Sequence, residues 1–237
     1  MAGKQPKVIV FDTFGTVVDW RGSLIADLTK FGETRGVAAD WPALVDAWRA
    51  SYHPSMDRVR KGELPWTKLD GLHRASLDQL VAKFGIKGLS EADLVHINLG
   101  WHRLHGWPDS VPGLTRLKKR FPIATLSNGN LSLLVDMARH GGLPWDCVLS
   151  AELFRKYKPD PGVYLGAADL LGVAPGELLM VAAHPSDLAA ARAAGLRTAY
   201  VERPLERGFD GTRASTEGHR FDWTARDFVD LAGQLGA

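Results

Sequence analysis

Four short runs in this chain are apolar or nearly so from end to end: Val8 to Phe11, Ile123 to Leu126, Leu178 to Ala183 and Thr198 to Val201. A strand without polar alternation is buried on both faces, as happens in a parallel sheet covered by helices on each side. Helical periodicity fills the spaces between these runs, at Leu131 to His140, Gly162 to Leu171 and Ser186 to Ala194. Gly141-Gly142 and Gly195 occupy places where helix C-caps belong. Alternation of this kind predicts an α/β fold on a doubly wound parallel sheet.

The pattern changes between Trp20 and Trp107. Helical periodicity dominates there, over Ser23 to Arg35, Trp41 to Ser51, Lys68 to Lys83 and Ser90 to Leu104, and no convincing strand is found. Asp40 before Trp41-Pro42 reads as a helix N-cap with proline in the first turn. Ser90 followed by Asp93 reads as another. The expected organisation is therefore an α/β core of residues 1–19 and 108–237, interrupted after its first strand by a helical cap, 20–107. Gly106-Trp107-Pro108-Asp109 is the return hinge.

Bulk properties exclude several classes. With 29 basic and 27 acidic residues the net charge is +2, which leaves no nucleic-acid footprint. The short Lys118-Lys119-Arg120 run ends a predicted helix, where cations suit the dipole. No stretch approaches a membrane span, and the apolar run after Lys4 and Lys7 is too short for a signal sequence. The single cysteine, Cys147, excludes an intrachain disulfide and is expected to be a buried core residue. A soluble cytoplasmic protein without nucleic-acid or membrane partners is the expectation.

Open parallel sheets bind ligands at the carboxyl ends of their strands. Those ends carry Asp12 and Thr16, then Ser127 and Asn128, then His184 and Asp187, and Lys158 lies in a loop before the helix bearing Tyr164. Each polar residue alone could be a helix cap. As a set at successive strand ends, they point to a site. No GxGxxG follows the first strand, which argues against a nicotinamide-binding protein.

In this setting Val10-Phe11-Asp12-Thr13-Phe14-Gly15-Thr16 resembles the first motif of the haloacid dehalogenase superfamily. Leu126-Ser127-Asn128-Gly129 resembles its second, Lys158-Pro159 its third, and Ala182 to Asp187 its fourth. The resemblance implies a Rossmann-like core with a helical cap. Phosphatases of the superfamily carry an acid where this chain has Phe14, and an apolar side chain cannot protonate a leaving oxygen. Their fourth motif offers several acids for magnesium, whereas here only Asp187 remains, and a hard cation wants more oxygen ligands. The phosphatase branch and a catalytically silent binding module are thus the rival readings.

The departures resemble the L-2-haloacid dehalogenases, which use neither metal nor cofactor. That resemblance implies a 2-haloacid substrate, a released halide ion and a homodimer. It makes Asp12 a carboxylate nucleophile that forms an ester with the substrate. Lys158 would keep Asp12 ionised, Thr16 would donate to it, and Asp187 would orient Lys158 and the hydrolytic water. Ser127, with the backbone at Thr13 and Phe14, would bind the substrate carboxylate, with Tyr164 close to Lys158 or the substrate. Arg49, in a Trp48-Arg49 pair, and Asn128 would receive the halide. His184 and Ala182 replace residues common in relatives, and His184 is expected to position or activate water, to narrow the halide pocket, or to play a structural part behind the site. Trp20 and Trp107 are expected to wall the pocket.

Overall fold

The computed structural model describes residues 5–209, 211 and 215–237. From the N-terminus the elements run β1 (Val8–Phe11), β2 (Val18–Asp19), α1 (Trp20–Arg35), α2 (Trp41–Ala50), α3 (Tyr52–Arg60), α4 (Leu69–Lys83) and α5 (Glu91–Asn98). After a 3₁₀ helix at Leu99–Arg103 come β3 (His105–Gly106), α6 (Ser110–Lys118), β4 (Ile123–Ser127), α7 (Leu131–Gly141) and β5 (Cys147–Ser150). Then follow α8 (Pro161–Leu170), β6 (Leu178–Ala182), α9 (Pro185–Ala193), β7 (Arg197–Val201), β8 (Trp223–Ala225) and α10 (Phe228–Gln234).

Among the described residues six strands form one sheet in the order β5-β4-β1-β6-β7-β8. Every pairing in it is parallel. β1 is central, and its alternate side chains serve two cores. Ile9 and Phe11 join a cluster with Leu114 and Phe228, while Val8 and Val10 join Val163, Tyr164 and Leu188 on the opposite face. This is why the run reads apolar throughout. The first cluster continues without a break into Trp20, Leu24, Leu28, Trp48, Leu77 and Trp101 of the helical layer. Trp101 is a hub there, with Phe14 at 5.8 Å, Trp48 at 5.5 Å and His73 at 4.3 Å between ring centroids.

Helices α1–α5 meet the sheet at the carboxyl ends of its strands. Asn130 Nδ2 donates to Asp70 Oδ2, the Tyr157 hydroxyl to Thr67 O, and Arg60 Nη2 to Lys158 O. Asp40 caps α2 by accepting from Ala43 N, and Ser90 and Asp93 form a reciprocal capping box on α5. Gly142 ends α7 in the left-handed conformation, φ 61°.

The structure departs from the sequence-based expectations at several places. α1 begins at Trp20, not Ser23, because Asp19 caps it by accepting from Gly22 N. The segment Ser90 to Leu104 is not one helix: α5 ends at Asn98 and the chain tightens into a 3₁₀ helix. α3 follows α2 almost at once and was not expected. The block is also not wholly without strand, since Val18–Asp19 and His105–Gly106 pair antiparallel and tie together its entry and exit. Cys147 is exposed, contrary to the expected core position. It opens β5, the outermost strand of the sheet, where one side of the strand has no neighbour.

Candidate active site

Asp12 is the first residue past β1, at the point where the strand order turns: β4 and β5 lie to one side, and β6, β7 and β8 to the other. Such a switch point leaves a crevice beyond the strand ends. The Asp12 carboxylate is nearly enclosed and each oxygen has defined partners. Lys158 Nζ donates to Oδ1 at 3.0 Å. Thr16 Oγ donates to Oδ2 at 2.9 Å, and His184 Nδ1 lies 3.0 Å from the same oxygen. Thr16 Oγ also accepts Ala183 N at 2.9 Å, which fixes the direction of its proton. Burial pushes the Asp12 carboxyl up, but Lys158 and the His184 hydrogen bond outweigh it and hold the group far below the ordinary carboxylate range. Asp12 is therefore ionised at neutral pH.

Lys158 is held on all sides. Its N–H donates to Asn128 Oδ1 at 2.7 Å and its carbonyl accepts from Arg60 at 2.5 Å. Nζ also donates to Asp187 Oδ2 at 2.5 Å, and Asp187 Oδ1 accepts the Tyr164 hydroxyl at 2.6 Å. Burial lowers the lysine's affinity for its proton, yet Asp12 and Asp187 raise the balance above its ordinary value, so it remains an ammonium. The Tyr164 hydroxyl is pushed well up by burial and by Asp187, and stays a donor.

A cavity of about 270 Å³ opens over this group. Asp12, Phe14, Asn128, Lys158, Tyr164, His184 and Asp187 line it from the sheet side, and Arg49 from α2. The Arg49 guanidinium lies over the rings of Tyr52, at 4.3 Å, and Trp20, at 5.2 Å, and its Nη1 is buried with no hydrogen-bond partner among the described residues. Asn128 Oδ1 accepts the Lys158 N–H, so its amide nitrogen faces the Tyr52 hydroxyl and the cavity as a donor.

The structure thus brings together Asp12, Thr16, Asn128, Lys158, Tyr164, His184, Asp187 and Arg49. Ser127 and Thr13 are enclosed and do not line the cavity; Ser127 Oγ accepts from Gly129 N. Trp20 and Trp107 do not line it either, and donate instead to Glu206 Oε1 at 3.1 Å and Gly15 O at 2.9 Å.

Sequence reasoning missed Tyr52, His53 and Arg207 in the wall, and Glu206 behind His184. Tyr52 carried a usable signal, since it falls three residues after Arg49, a helical neighbour spacing. Glu206 carried none: it lies in an irregular loop after β7 and belongs to no motif.

Residues 6–195 match a family model described as haloacid dehalogenase-like hydrolase. The chain belongs to this family. Among related haloacid dehalogenase-like hydrolases, (S)-2-haloacid dehalogenase 1 of Pseudomonas sp. (strain CBS-3) is 32% identical over 209 residues, covering 83% of this chain and 85% of that one. Two crystal structures share the fold closely. One is of an L-2-haloacid dehalogenase, with TM-score 0.94 and 48% identity over 98% of this chain and 99% of that one. The other is of a defluorinating L-2-haloacid dehalogenase, with TM-score 0.95 and 44% identity over 99% and 97%.

The phosphatases that the four motifs also resemble offer several acids for magnesium, and the donor set here does not suit that ion. Lys158 Nζ bridges Asp12 and Asp187, so an ammonium fills the space between the two carboxylates that a hard cation would need. The Phe14 side chain adds no oxygen ligand; its ring packs edge-on against Tyr52 and Trp101.

Proposed function

We propose that this haloacid dehalogenase-like hydrolase removes halide from short 2-haloalkanoic acids, such as haloacetates and L-2-halopropionate, and yields 2-hydroxy acids through an ester on Asp12. One observation carries the reading: a carboxylate whose Oδ1 accepts, among the described residues, from Lys158 alone faces a small cavity that also holds a guanidinium nitrogen without a hydrogen-bond partner among them. The similarity to (S)-2-haloacid dehalogenases supports it.

In the first step Asp12 Oδ1 attacks carbon 2. The carbon–halogen bond breaks as the Oδ1–carbon bond forms, with inversion, and the electron pair leaves on the halide. Arg49 and the Asn128 amide donate N–H bonds to that ion as charge develops on it. Tyr164 and Asp187 keep Lys158 aimed at Asp12, so the nucleophile stays ionised but is not protonated. The carboxylate of the substrate goes to the Phe14 end of the nucleophile loop, which lines the cavity, while Ser127 and Thr13 stand enclosed behind it. In the second step water attacks the ester carbonyl and the hydroxy acid leaves. The cavity volume suits acids of two or three carbons, and similarity to a defluorinating L-2-haloacid dehalogenase at 44% identity is a reason to include fluoroacetate in the test. The reading extends to a cytoplasmic enzyme acting as a homodimer, for which light scattering is the check.

The test is halide release from chloroacetate, fluoroacetate and L-2-chloropropionate with EDTA present. Wild type is expected to release halide, and Asp12→Asn to fall by on the order of 10⁴-fold or more, the scale of losing a nucleophile. No release from any of the three, with magnesium-dependent hydrolysis of a phosphate ester instead, would move the chain to the phosphatase branch.

A further inference from the structure

His184 is flanked by carboxylates on both ring nitrogens. Nδ1 is 3.0 Å from Asp12 Oδ2, and Nε2 is 3.0 and 3.2 Å from the two oxygens of Glu206. Both nitrogens can satisfy carboxylates only as donors, which requires the imidazolium. Glu206 is itself anchored: Trp20 Nε1 donates to it, and it occupies space that only a glycine at position 15 leaves open, since a Cβ there would lie 2.2 Å from Glu206 Oε1. Gly15 has φ +80°, a conformation suited to glycine. Glu206 does not line the substrate cavity. It lines a neighbouring cavity of about 580 Å³, and His184 is part of the wall between the two.

The two oxygens of Asp12 are therefore unequal. Among the described residues Oδ2 receives two fixed donors, Thr16 Oγ–H and His184 Nδ1–H, while Oδ1 meets only Lys158. The free lone pair, and hence the ester bond, belongs to Oδ1, and Oδ2 becomes the ester carbonyl oxygen. Resting on the dehalogenase reading, we infer that Thr16 and His184 form the oxyanion hole for hydrolysis of the Asp12 ester, with Glu206 as the positioning residue that keeps His184 charged during that step.

The step balances as follows. Water oxygen attacks Cγ, and the Cγ–Oδ2 π pair moves onto Oδ2, where the two donors already point. One water proton passes to Asp187. Collapse re-forms the Cγ–Oδ2 double bond and breaks Cγ–Oδ1. Oδ1 leaves on the 2-hydroxy acid and takes the proton from Asp187. The second water proton is released to solvent, and Asp12 is a carboxylate again. An imidazolium has no lone pair with which to accept a proton from water, so His184 acts here as a donor, not as the base.

Esterification explains why Glu206 is needed. It removes the negative charge of Asp12, which in the resting site supports two cations. Each cation has a second carboxylate in place: Asp187 for Lys158 at 2.5 Å, and Glu206 for His184. Neither is left as an unpaired buried charge. Burial alone would lower the His184 proton affinity, and the two carboxylates lift it to about 10 in the resting site. The other charged or titratable groups facing the pair are Lys158 and Asp187 beside Asp12, Arg49 and His53 on the helices above, and Arg207 in both cavity walls. Glu202, Arg203 and His219 line the second cavity. Three of the cations, Arg49, Arg203 and Arg207, oppose a charged His184, and Glu206 offsets them at close range.

The experiment is rapid-quench turnover of chloroacetate by wild type, Glu206→Gln and His184→Gln, reading chloride, glycolate and the intact protein mass across a pH series. Both replacements are close in size to the original, and the chloride burst counts the folded, competent sites in each preparation. For His184→Gln the expected result is a chloride burst, accumulation of the Asp12 ester by mass, and ester hydrolysis slower by about 10²–10³-fold. Glu206→Gln is expected to approach wild type only below a pH that itself lies under the ordinary histidine value of about 6.5, since burial and the nearby cations then act with neither carboxylate against them. Above it, ester hydrolysis should fall about tenfold per pH unit until the donor is lost, where wild type stays flat. A wild-type pH profile without ester accumulation in Glu206→Gln overturns the inference. So does loss of the chloride burst in both variants, which assigns the pair to the first step and leaves the dehalogenase reading standing. Absence of chloride release by wild type overturns that reading and this inference together.

Discussion

Lys158 is the residue on which the electrostatics of the site turn. Its ammonium separates two carboxylates that would otherwise face each other in a buried space, at 3.0 Å from Asp12 and 2.5 Å from Asp187. Removing one member of a buried ion pair strands the others, which costs about 3–5 kcal/mol. Lys158→Met is therefore expected to lose that much stability in urea denaturation at neutral pH, and to lose halide release with it. The loss of stability should shrink as pH falls and Asp12, held low in the folded protein, takes up a proton. Lys158 was legible in the sequence because a lysine before proline at that distance from the nucleophile is part of a motif. Ser127 was equally legible, yet the fold encloses it. Motif membership names a residue but leaves its exposure to packing.

Among the elements, α2 connects helix stability to the site most directly. Asp40 accepts from Ala43 N at its first turn, and Arg49 stands in its last turn over the cavity. Asp40→Ala is expected to cost about 1 kcal/mol, the usual worth of an N-cap, seen as a lower denaturation midpoint with an unchanged slope. A second element-level device joins the helical layer to α7. His102, in the 3₁₀ helix, has Nδ1 2.8 Å from Asp136 Oδ2 on α7 and Nε2 3.2 Å from both oxygens of Asp70 on α4. Burial lowers its proton affinity, but the two carboxylates win and raise it above the ordinary 6.5. A raised histidine contributes stability that is fully present below pH 6.5 and is lost as pH rises through the folded-state value. The difference in melting temperature between wild type and His102→Gln should thus be largest near pH 6 and narrow steadily toward pH 9. Caps at Asp40 and Ser90 were readable because capping is local. The His102 cluster joins residues 70, 102 and 136, and no local pattern announces it.

At the scale of the whole molecule, Asp109 and Arg203 tie the return from the helical layer to the far half of the sheet. The guanidinium makes a two-pronged contact with the carboxylate, 2.8 Å on each side, and Asp109 Oδ2 also accepts Phe228 N at the start of α10. Arg203 Nε donates to Thr16 O as well, so the tie reaches the nucleophile loop. Both side chains are largely buried. Asp109→Ala is expected to destabilise the protein by about 3–5 kcal/mol, since it leaves the guanidinium unpaired, with a matching fall in urea midpoint. Halide release should fall too, because Arg203, which donates to Thr16 O, loses the carboxylate that holds it in place.

The sequence by itself determined the central strands, the α/β class, the helical block after β1 and the positions of Asp12, Asn128, Lys158 and Asp187. These follow from short-range regularities: apolar runs buried on both faces, caps, and motif residues at strand ends. The tertiary structure alone decided what depends on contact between distant segments. β5 and β8 gain strand form by pairing with neighbours. Cys147 is exposed because its strand is the outermost. Glu206 reaches His184 across 22 residues of chain, into a gap that Gly15 leaves and Trp20 closes. Periodicity and motif spacing report a residue's relation to its sequence neighbours. Burial, ion pairing and proton affinity are set by whatever the folded chain brings within a few ångströms.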